Sequence, residues 1–252
     1  MCVHVAVMAW RSSLLQLSMR EEISFSLPSL PTATTRKNAP VFSSLGPATA
    51  ELGTASVLIS GTIGLEVVEG GIARFVAPPG TVAVSLNGVT VNAPIGPDGR
   101  FTAALPGGAL TLANSPYVVG FSYAGDANFE AATATSSLRV VDATGPTILA
   151  VSVTPDTLGP PNHKLIDVTV TYGAIDLGGA PVCSLSVSSN EAANGLGDGN
   201  TSIDWRVIDP HHVQLRAERS GLGTGRLYTI AIRCTDGSGN ASTALRTVSV
   251  TK

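Results

Sequence analysis

The sequence predicts an all-β protein made of two tandem β-sandwiches. Three observations lead to this expectation: a composition rich in small and turn-forming residues, short runs of alternating polar and apolar residues between turn signals, and a strand pattern that occurs twice. None of them favours long amphipathic helices, which need charged and apolar residues at helical spacing.

The composition of the 252-residue chain is that of many short strands joined by tight turns. Hydrophobic residues make up 44 %, enough to fill a core, whereas charged residues make up only 13 %, about half the usual share. The 27 glycines and 16 prolines supply the turns. The net charge of −3 gives no basic surface for nucleic acid, and no run of about 18 apolar residues predicts insertion into a membrane.

Residues 1–40 do not share this pattern. Met1–Trp10 is apolar, but Arg11 follows at once and no charged region precedes it, so the segment is a poor match to a signal peptide. Ser24–Lys37 is rich in Ser, Thr and Pro, which is typical of a linker. We expect this segment to be poorly ordered or to reflect a misassigned start, with the chain a piece of a longer protein.

Residues 41–142 are predicted to form the first sandwich. Thr81–Leu86 alternates polar and apolar residues and is followed by Asn87-Gly88 and Val89–Val91, the strongest local signal for a β-hairpin. Phe101–Leu105 and Tyr117–Tyr123 are further strands.

Residues 145–252 are predicted to form the second sandwich, after a break at Asp142–Pro146. Seven short strands over about a hundred residues are typical of a β-sandwich. They are Ile148–Val153, Leu165–Tyr172, Pro181–Ser188, Ile203–Val207, Val213–Ala217, Arg226–Cys234 and Ala241–Val250.

The two halves repeat each other in their penultimate strands. Tyr117–Tyr123 aligns with Tyr228–Cys234, which pairs Val119 with Ile230, Phe121 with Ile232 and Tyr123 with Cys234. Alternate positions of a strand share a face, so these pairs are predicted to point into the two cores. The tyrosine that begins each strand is expected to bond through its hydroxyl to the backbone, as in other sandwiches.

Two of the three cysteines, Cys183 and Cys234, lie in strands of the predicted second sandwich. We interpret them as a disulfide, which implies an oxidising compartment. The alternative is a pair of reduced, buried cysteines that act as small hydrophobic residues.

No pattern of catalytic residues is present. The chain has four histidines and no Gly-x-Ser-x-Gly motif. His211 and His212 follow Asp209-Pro210, and adjacent residues of a strand point to opposite faces. A hairpin turn is therefore favoured over a zinc site, and we predict that the protein is not an enzyme.

The sequence predicts no cofactor, and calcium is the most plausible ion that it could bind. Oxygen-bearing side chains alternate at Asp198, Asn200 and Asp204, and Glu191 could complete a site from the preceding turn. The alternative is a polar surface loop. A second candidate site lies at the junction of the sandwiches, with Asp142 or Asp236 and Asn240.

Two further groups of side chains have a structural and a functional interpretation. Trp205 is interpreted mainly as a core residue, with a sugar-stacking platform as the alternative, and its face is expected to include Ile203 and Val207. Arg216, Glu218 and Arg219 are predicted to form an exposed strip of salt bridges, which contributes little to stability.

Several motifs resemble the immunoglobulin-like repeats of bacterial extracellular proteins. Residues 41–142 resemble one such repeat at Gly53–Gly61, Pro78–Val82 and Tyr117–Phe129. Residues 145–252 resemble a second repeat, with a denser set of motifs. These are Pro160–Lys164, Ser189–Glu191, Gly195–Asp198, Leu215–Arg219 and Cys234–Asn240.

The resemblance implies a non-catalytic structural or adhesion region of a secreted or cell-surface bacterial protein. Such repeats occur in larger arrays, and the family has no catalytic residues to transfer. The alternative is a carbohydrate- or protein-binding accessory module of a larger secreted hydrolase. Either function implies an extracellular or cell-surface location, with an extracellular protein or a polysaccharide as the partner.

Overall fold

Strands joined by turns make up the residues that the structure describes, which are 36–193, 201 and 203–251 of this computed structural model. No helix occurs in these ranges, so the predicted all-β class is confirmed. Most of segment 1–40 lies outside the described residues. Lys37 and Asn38 are described, and they are already bonded to the first sandwich: Lys37 donates to the carbonyl of Asp126, and Asn38 pairs with Phe129.

The first sandwich has nine strands in two sheets. One sheet has the order β1-β3-β4, with β7 also paired to β3, and the other has the order β2-β9-β8-β5-β6. The strands are β1 (Val41–Gly46), β2 (Thr49–Glu51), β3 (Ser56–Glu69), β4 (Ile72–Val76), β5 (Thr81–Leu86), β6 (Val89–Pro94), β7 (Arg100–Pro106), β8 (Tyr117–Tyr123) and β9 (Ala132–Val141).

The second sandwich has eight strands in two sheets, of order β10-β12-β15-β14 and β11-β17-β16-β13. All seven strands predicted for this half are present, together with the short β11. The strands are β10 (Thr147–Thr154), β11 (Thr157–Leu158), β12 (Leu165–Ile175), β13 (Val182–Ser189), β14 (Trp205–Asp209), β15 (His212–Arg216), β16 (Leu227–Thr235) and β17 (Ala241–Val250).

The strand order is that of an immunoglobulin-like sandwich. Without the short β11, the second sandwich has seven strands. The first, second, fifth and fourth of them (β10, β12, β15 and β14) form one sheet, and the seventh, sixth and third (β17, β16 and β13) form the other. This is the arrangement of a constant-type immunoglobulin domain. In both sandwiches a short strand pairs in parallel with the last strand, β2 with β9 and β11 with β17. The two halves share this parallel pairing, although the first has a five-stranded sheet and the second does not.

Each sandwich has its own hydrophobic core. In the first, the rings of Phe42, Phe101 and Phe121 lie 5.9 Å apart, centroid to centroid, which ties β1, β7 and β8 together. In the second, Ile230 and Ile232 of β16 are completely buried. Burial of such side chains is the main force that holds the two sheets of each sandwich together.

The repeated penultimate strand behaves as predicted in both sandwiches. All three aligned pairs are buried. The Tyr117 hydroxyl accepts a hydrogen bond from the backbone N–H of Thr111 (2.9 Å), and the Tyr228 hydroxyl donates one to the carbonyl of Arg216 (2.9 Å). Each tyrosine thus ties its strand to backbone that precedes the strand, at Thr111 for Tyr117 and at Arg216 for Tyr228.

The predicted hairpin at Asn87-Gly88 joins β5 to β6. Both residues have positive φ, 47° at Asn87 and 79° at Gly88. This two-residue turn matches the twist of the flanking strands, which is why an asparagine and a glycine occupy it.

Phe121→Ala should destabilise the first sandwich by about 3–5 kcal/mol, because the lost ring leaves a cavity between Phe42 and Phe101. Urea denaturation measures the change. Val118→Ala on the same strand is the control: Val118 is 69 % exposed, so its truncation should cost less than about 0.5 kcal/mol. Equal costs for the two variants would contradict this account of the core.

Candidate functional site

Cys183 and Cys234 form a disulfide in the second sandwich, with an S–S distance of 2.04 Å. The two residues lie directly opposite each other on β13 and β16. The bond therefore joins neighbouring strands of one sheet, whereas the disulfide of antibody domains connects two sheets.

Arg226 is a completely buried arginine at the centre of a polar network in the second sandwich. Its Nη1 donates to Oδ2 of Asp204 (2.8 Å) and its Nε lies 3.4 Å from Oε2 of Glu191. Its Nη2 donates to the carbonyl of Ala192 (3.0 Å). Burial alone would lower the pKa of Arg226, but Tyr228 and Asp204 raise it on balance, so the side chain stays charged.

This network bears on the first predicted calcium site. One carboxylate oxygen of Asp204 and one of Glu191 face the guanidinium of Arg226, so both acids already have a cationic partner. Asp198 and Asn200 lie outside the described residues. A calcium ion bound by these four residues stays an untested prediction.

The predicted exposed strip at Arg216 and Glu218 is wrong. Glu218 is fully buried and Arg216 is 8 % exposed. Arg216 donates to the carbonyls of Ile203 (2.8 Å) and His163, and Oε2 of Glu218 lies 2.7 Å from Nδ1 of His163. The strip was expected at the surface because charged residues rarely lie in cores, but here backbone carbonyls bond to Arg216 and the His163 side chain bonds to one oxygen of Glu218.

The motifs of the second repeat therefore converge in space. Three of them contribute His163, Glu191 and Glu218. The charged members of the network among the described residues include Glu191, Asp204, Glu218, Arg216, Arg219 and Arg226. Sequence reasoning missed Arg226, although its position two residues before Tyr228 places both on one face of the strand.

Trp205 lies at the edge of the second core. Its ring packs edge-on against Tyr228, with centroids 6.1 Å apart, and it is only partly exposed. Ile203 and Val207, expected to be buried with it, are 58 % and 40 % exposed, so that expectation is wrong. Ile203 has a φ of 65°, outside the extended region, and strand alternation does not extend to it.

His211 lies in the predicted hairpin turn between β14 and β15, and His212 begins β15. Nδ1 of His211 bonds to the carbonyl of Val170 (3.0 Å), while Nδ1 of His212 bonds to Asp209 (2.9 Å). The backbone N–H of His211, followed by the His212 imidazole, lowers the pKa of Asp209. The two imidazoles thus have different partners.

Three carboxylates lie together where the link, residues 142–146, joins the second sandwich. Asp142 follows β9, Asp176 follows β12 and Asp236 follows β16, and one oxygen of each lies within 4.8 Å of the others. The amide of Asn240 donates to the carbonyl of Asp142 (3.0 Å) and to Oδ2 of Asp236 (2.9 Å). The residues predicted for the junction site therefore lie together. Asp176 was missed because no spacing in the sequence connects it to the others.

The carboxylate of Asp142 is only half satisfied. Its Oδ1 accepts bonds from the backbone N–H and hydroxyl of Thr144, but its Oδ2 is buried and has no hydrogen-bond partner among the described residues. A Cβ at Gly178 would collide with this Oδ2 and would lie 3.1 Å from Oδ1 of Asp176. Both oxygens therefore face the same small space beside Gly178.

No family model and no curated protein matches this chain. Solved structures give distant similarities. The titin domains Z1Z2 in complex with telethonin are 16 % identical, with a TM-score of 0.35, over 86 % of this chain and 98 % of theirs. A bacterial ice-binding adhesin is 15 % identical, with a TM-score of 0.36, over 86 % and 66 %.

A protocadherin gamma B7 ectodomain is 16 % identical, with a TM-score of 0.30, over 84 % of this chain and 50 % of that one. Similarities this distant carry no argument about function, and the strand order given above decides the fold. The chain is a tandem of immunoglobulin-like domains. No helix of the length and apolar character needed to cross a bilayer is found in the described part of the tandem.

Arg226→Leu should destabilise the second sandwich by about 3–5 kcal/mol, because it leaves the charge of Asp204 buried without a partner. Adding Asp204→Asn removes that charge and should recover part of the loss. Urea denaturation measures both. Arg233→Leu, an exposed arginine on the same strand, is the control and should change stability by less than about 0.5 kcal/mol. A mild effect of Arg226→Leu would show that the network does not hold the fold.

The unreduced, denatured protein should contain one reactive thiol, that of Cys2, and three after reduction. Labelling with a thiol reagent and mass measurement count them. Cys183→Ser with Cys234→Ser should cost up to about 4 kcal/mol on the chain-entropy model, since the disulfide closes a 51-residue separation. Cys2→Ser is the control and should leave stability unchanged. Three thiols without reduction would rule out the disulfide.

Proposed function

We propose that this chain is a non-catalytic spacer or adhesion segment of a secreted or cell-surface bacterial protein. The observation that carries the proposal is the pairing of two independent cores with a link of only five residues, 142–146, between β9 and β10. A short link between stable sandwiches transmits force and position, which is what a projecting segment must do.

Contacts at the link support the same proposal. Asn240 of the second sandwich bonds to the carbonyl of Asp142 in the link, and Leu177 lies against Gly53 of the first sandwich. These contacts reduce the freedom of the link, so that the tandem projects as a semi-rigid unit.

An extracellular location is part of the proposal. The disulfide favours an oxidising compartment, because cytosolic thiols are kept reduced. The partner is then an extracellular protein or a polysaccharide, and further repeats would extend the array.

Sequencing the flanking DNA tests the extracellular location. An upstream open frame with a signal peptide and more repeats is expected, and a stop codon directly upstream would contradict the proposal.

Stretching the full chain from its two ends should give two separate unfolding events. The first sandwich should release about 36 nm of chain. The second should release only about 19 nm, because the disulfide prevents the residues between Cys183 and Cys234 from extending. Reduction should lengthen the second event to about 37 nm and leave the first unchanged. Unfolding at negligible force, or a single event, would contradict a role in transmitting force.

The accessory-module alternative depends on Trp205, which is partly exposed. Screening the protein against a polysaccharide array tests it. Binding that Trp205→Ala abolishes, with the melting temperature unchanged, would favour a binding module over the spacer.

A further inference from the structure

We propose that Asp142, Asp176 and Asp236 form a binding site for one calcium ion. The ion would join the link to two loops of the second sandwich, those after β12 and β16. The proposal concerns binding at this site and does not depend on the spacer function.

The donor atoms fit a calcium ion in chemistry and spacing. Calcium binds carboxylate oxygens at about 2.3–2.6 Å, so oxygens on one ion lie at most about 5 Å apart. The three carboxylates supply oxygens within 4.8 Å of one another. They come from three separate segments, which suits the flexible coordination of calcium better than the strict octahedron of magnesium.

The charge of the cluster is not compensated by the protein. Among the described residues no lysine or arginine forms an ion pair with Asp142, Asp176 or Asp236. The carboxylate of Asp236 accepts bonds from the Asn240 amide and from the backbone N–H groups of Ser238 and Asn240, and it lies beside two further acids.

The orphaned oxygen of Asp142 is a second, independent indication of a ligand. A buried carboxylate oxygen without a partner costs free energy, and native proteins rarely leave one unsatisfied. Oδ2 of Asp142 is such an atom, and it faces the same space as Oδ1 of Asp176 beside Gly178. A cation in that space would satisfy both oxygens at once.

Calorimetric titration of the full chain, stripped with chelator, tests the proposal. We expect one calcium ion per chain, and a binding constant that Asp176→Asn or Asp142→Asn weakens about tenfold or more. Asparagine keeps the local hydrogen bonds that these carboxylates accept from Gly178 and Thr144, so both variants should melt like the wild type in chelator. Asp156→Asn, at an exposed acid without side-chain bonds, is the matched control and should bind normally.

Three results would overturn the proposal. They are no binding at about 1 mM calcium, normal affinity in both Asp176→Asn and Asp142→Asn, and loss of binding in Asp198→Asn instead. Tighter binding of magnesium than of calcium would overturn the assignment of the ion. The stretching experiment reports on the spacer function separately, so either proposal can fail without the other.

Discussion

The second sandwich depends on keeping the charge of Arg226 compensated inside a β-sandwich. A buried guanidinium is tolerated only when carboxylates and carbonyls surround it, because its desolvation costs several kcal/mol. Asp204, Glu191 and the carbonyl of Ala192 meet that requirement. They come from two segments, residues 191–192 and Asp204, so both segments must meet the arginine for its bonds to form. The network therefore specifies which loops meet, while the apolar core of β16 and its neighbours supplies most of the stabilising burial.

The first sandwich forms without such a network among its described residues. Its described core has no buried charged side chain, and it shares the short parallel strand and the bonded tyrosine with the second sandwich. The parallel strand and the tyrosine are thus common to both halves, whereas buried charges are found among the described residues of the second alone. This difference explains why the motifs in residues 145–252 are denser: each member of a polar network needs a particular partner, whereas an apolar position accepts several residues.

The link between the sandwiches, residues 142–146, bears on both the proposed spacer function and the proposed calcium site. The link is short, it is bonded to the second sandwich through Asn240, and its Asp142 lies beside the acids that follow β12 and β16. A spacer and a calcium site would make use of the same geometry, since a cation that joins the link to two loops reduces bending between the sandwiches. Each remains open to its own test, by stretching for the spacer and by titration for the ion.

The sequence by itself determined the strands, the turns and the tandem arrangement. It also determined which residues of β8 and β16 point into the cores, because alternation and turn chemistry are local properties. The sequence also indicated the cysteine pair and the group formed by Asp142, Asp236 and Asn240. Only the tertiary structure placed Asp176 beside them, buried Arg216 and Glu218, and made Arg226 the centre of a network. These results depend on which distant segments meet, and a local pattern carries no information about the partner across a sandwich. A charged residue is predicted at the surface unless that partner is known, because a buried charge is tolerated only when the partner is present.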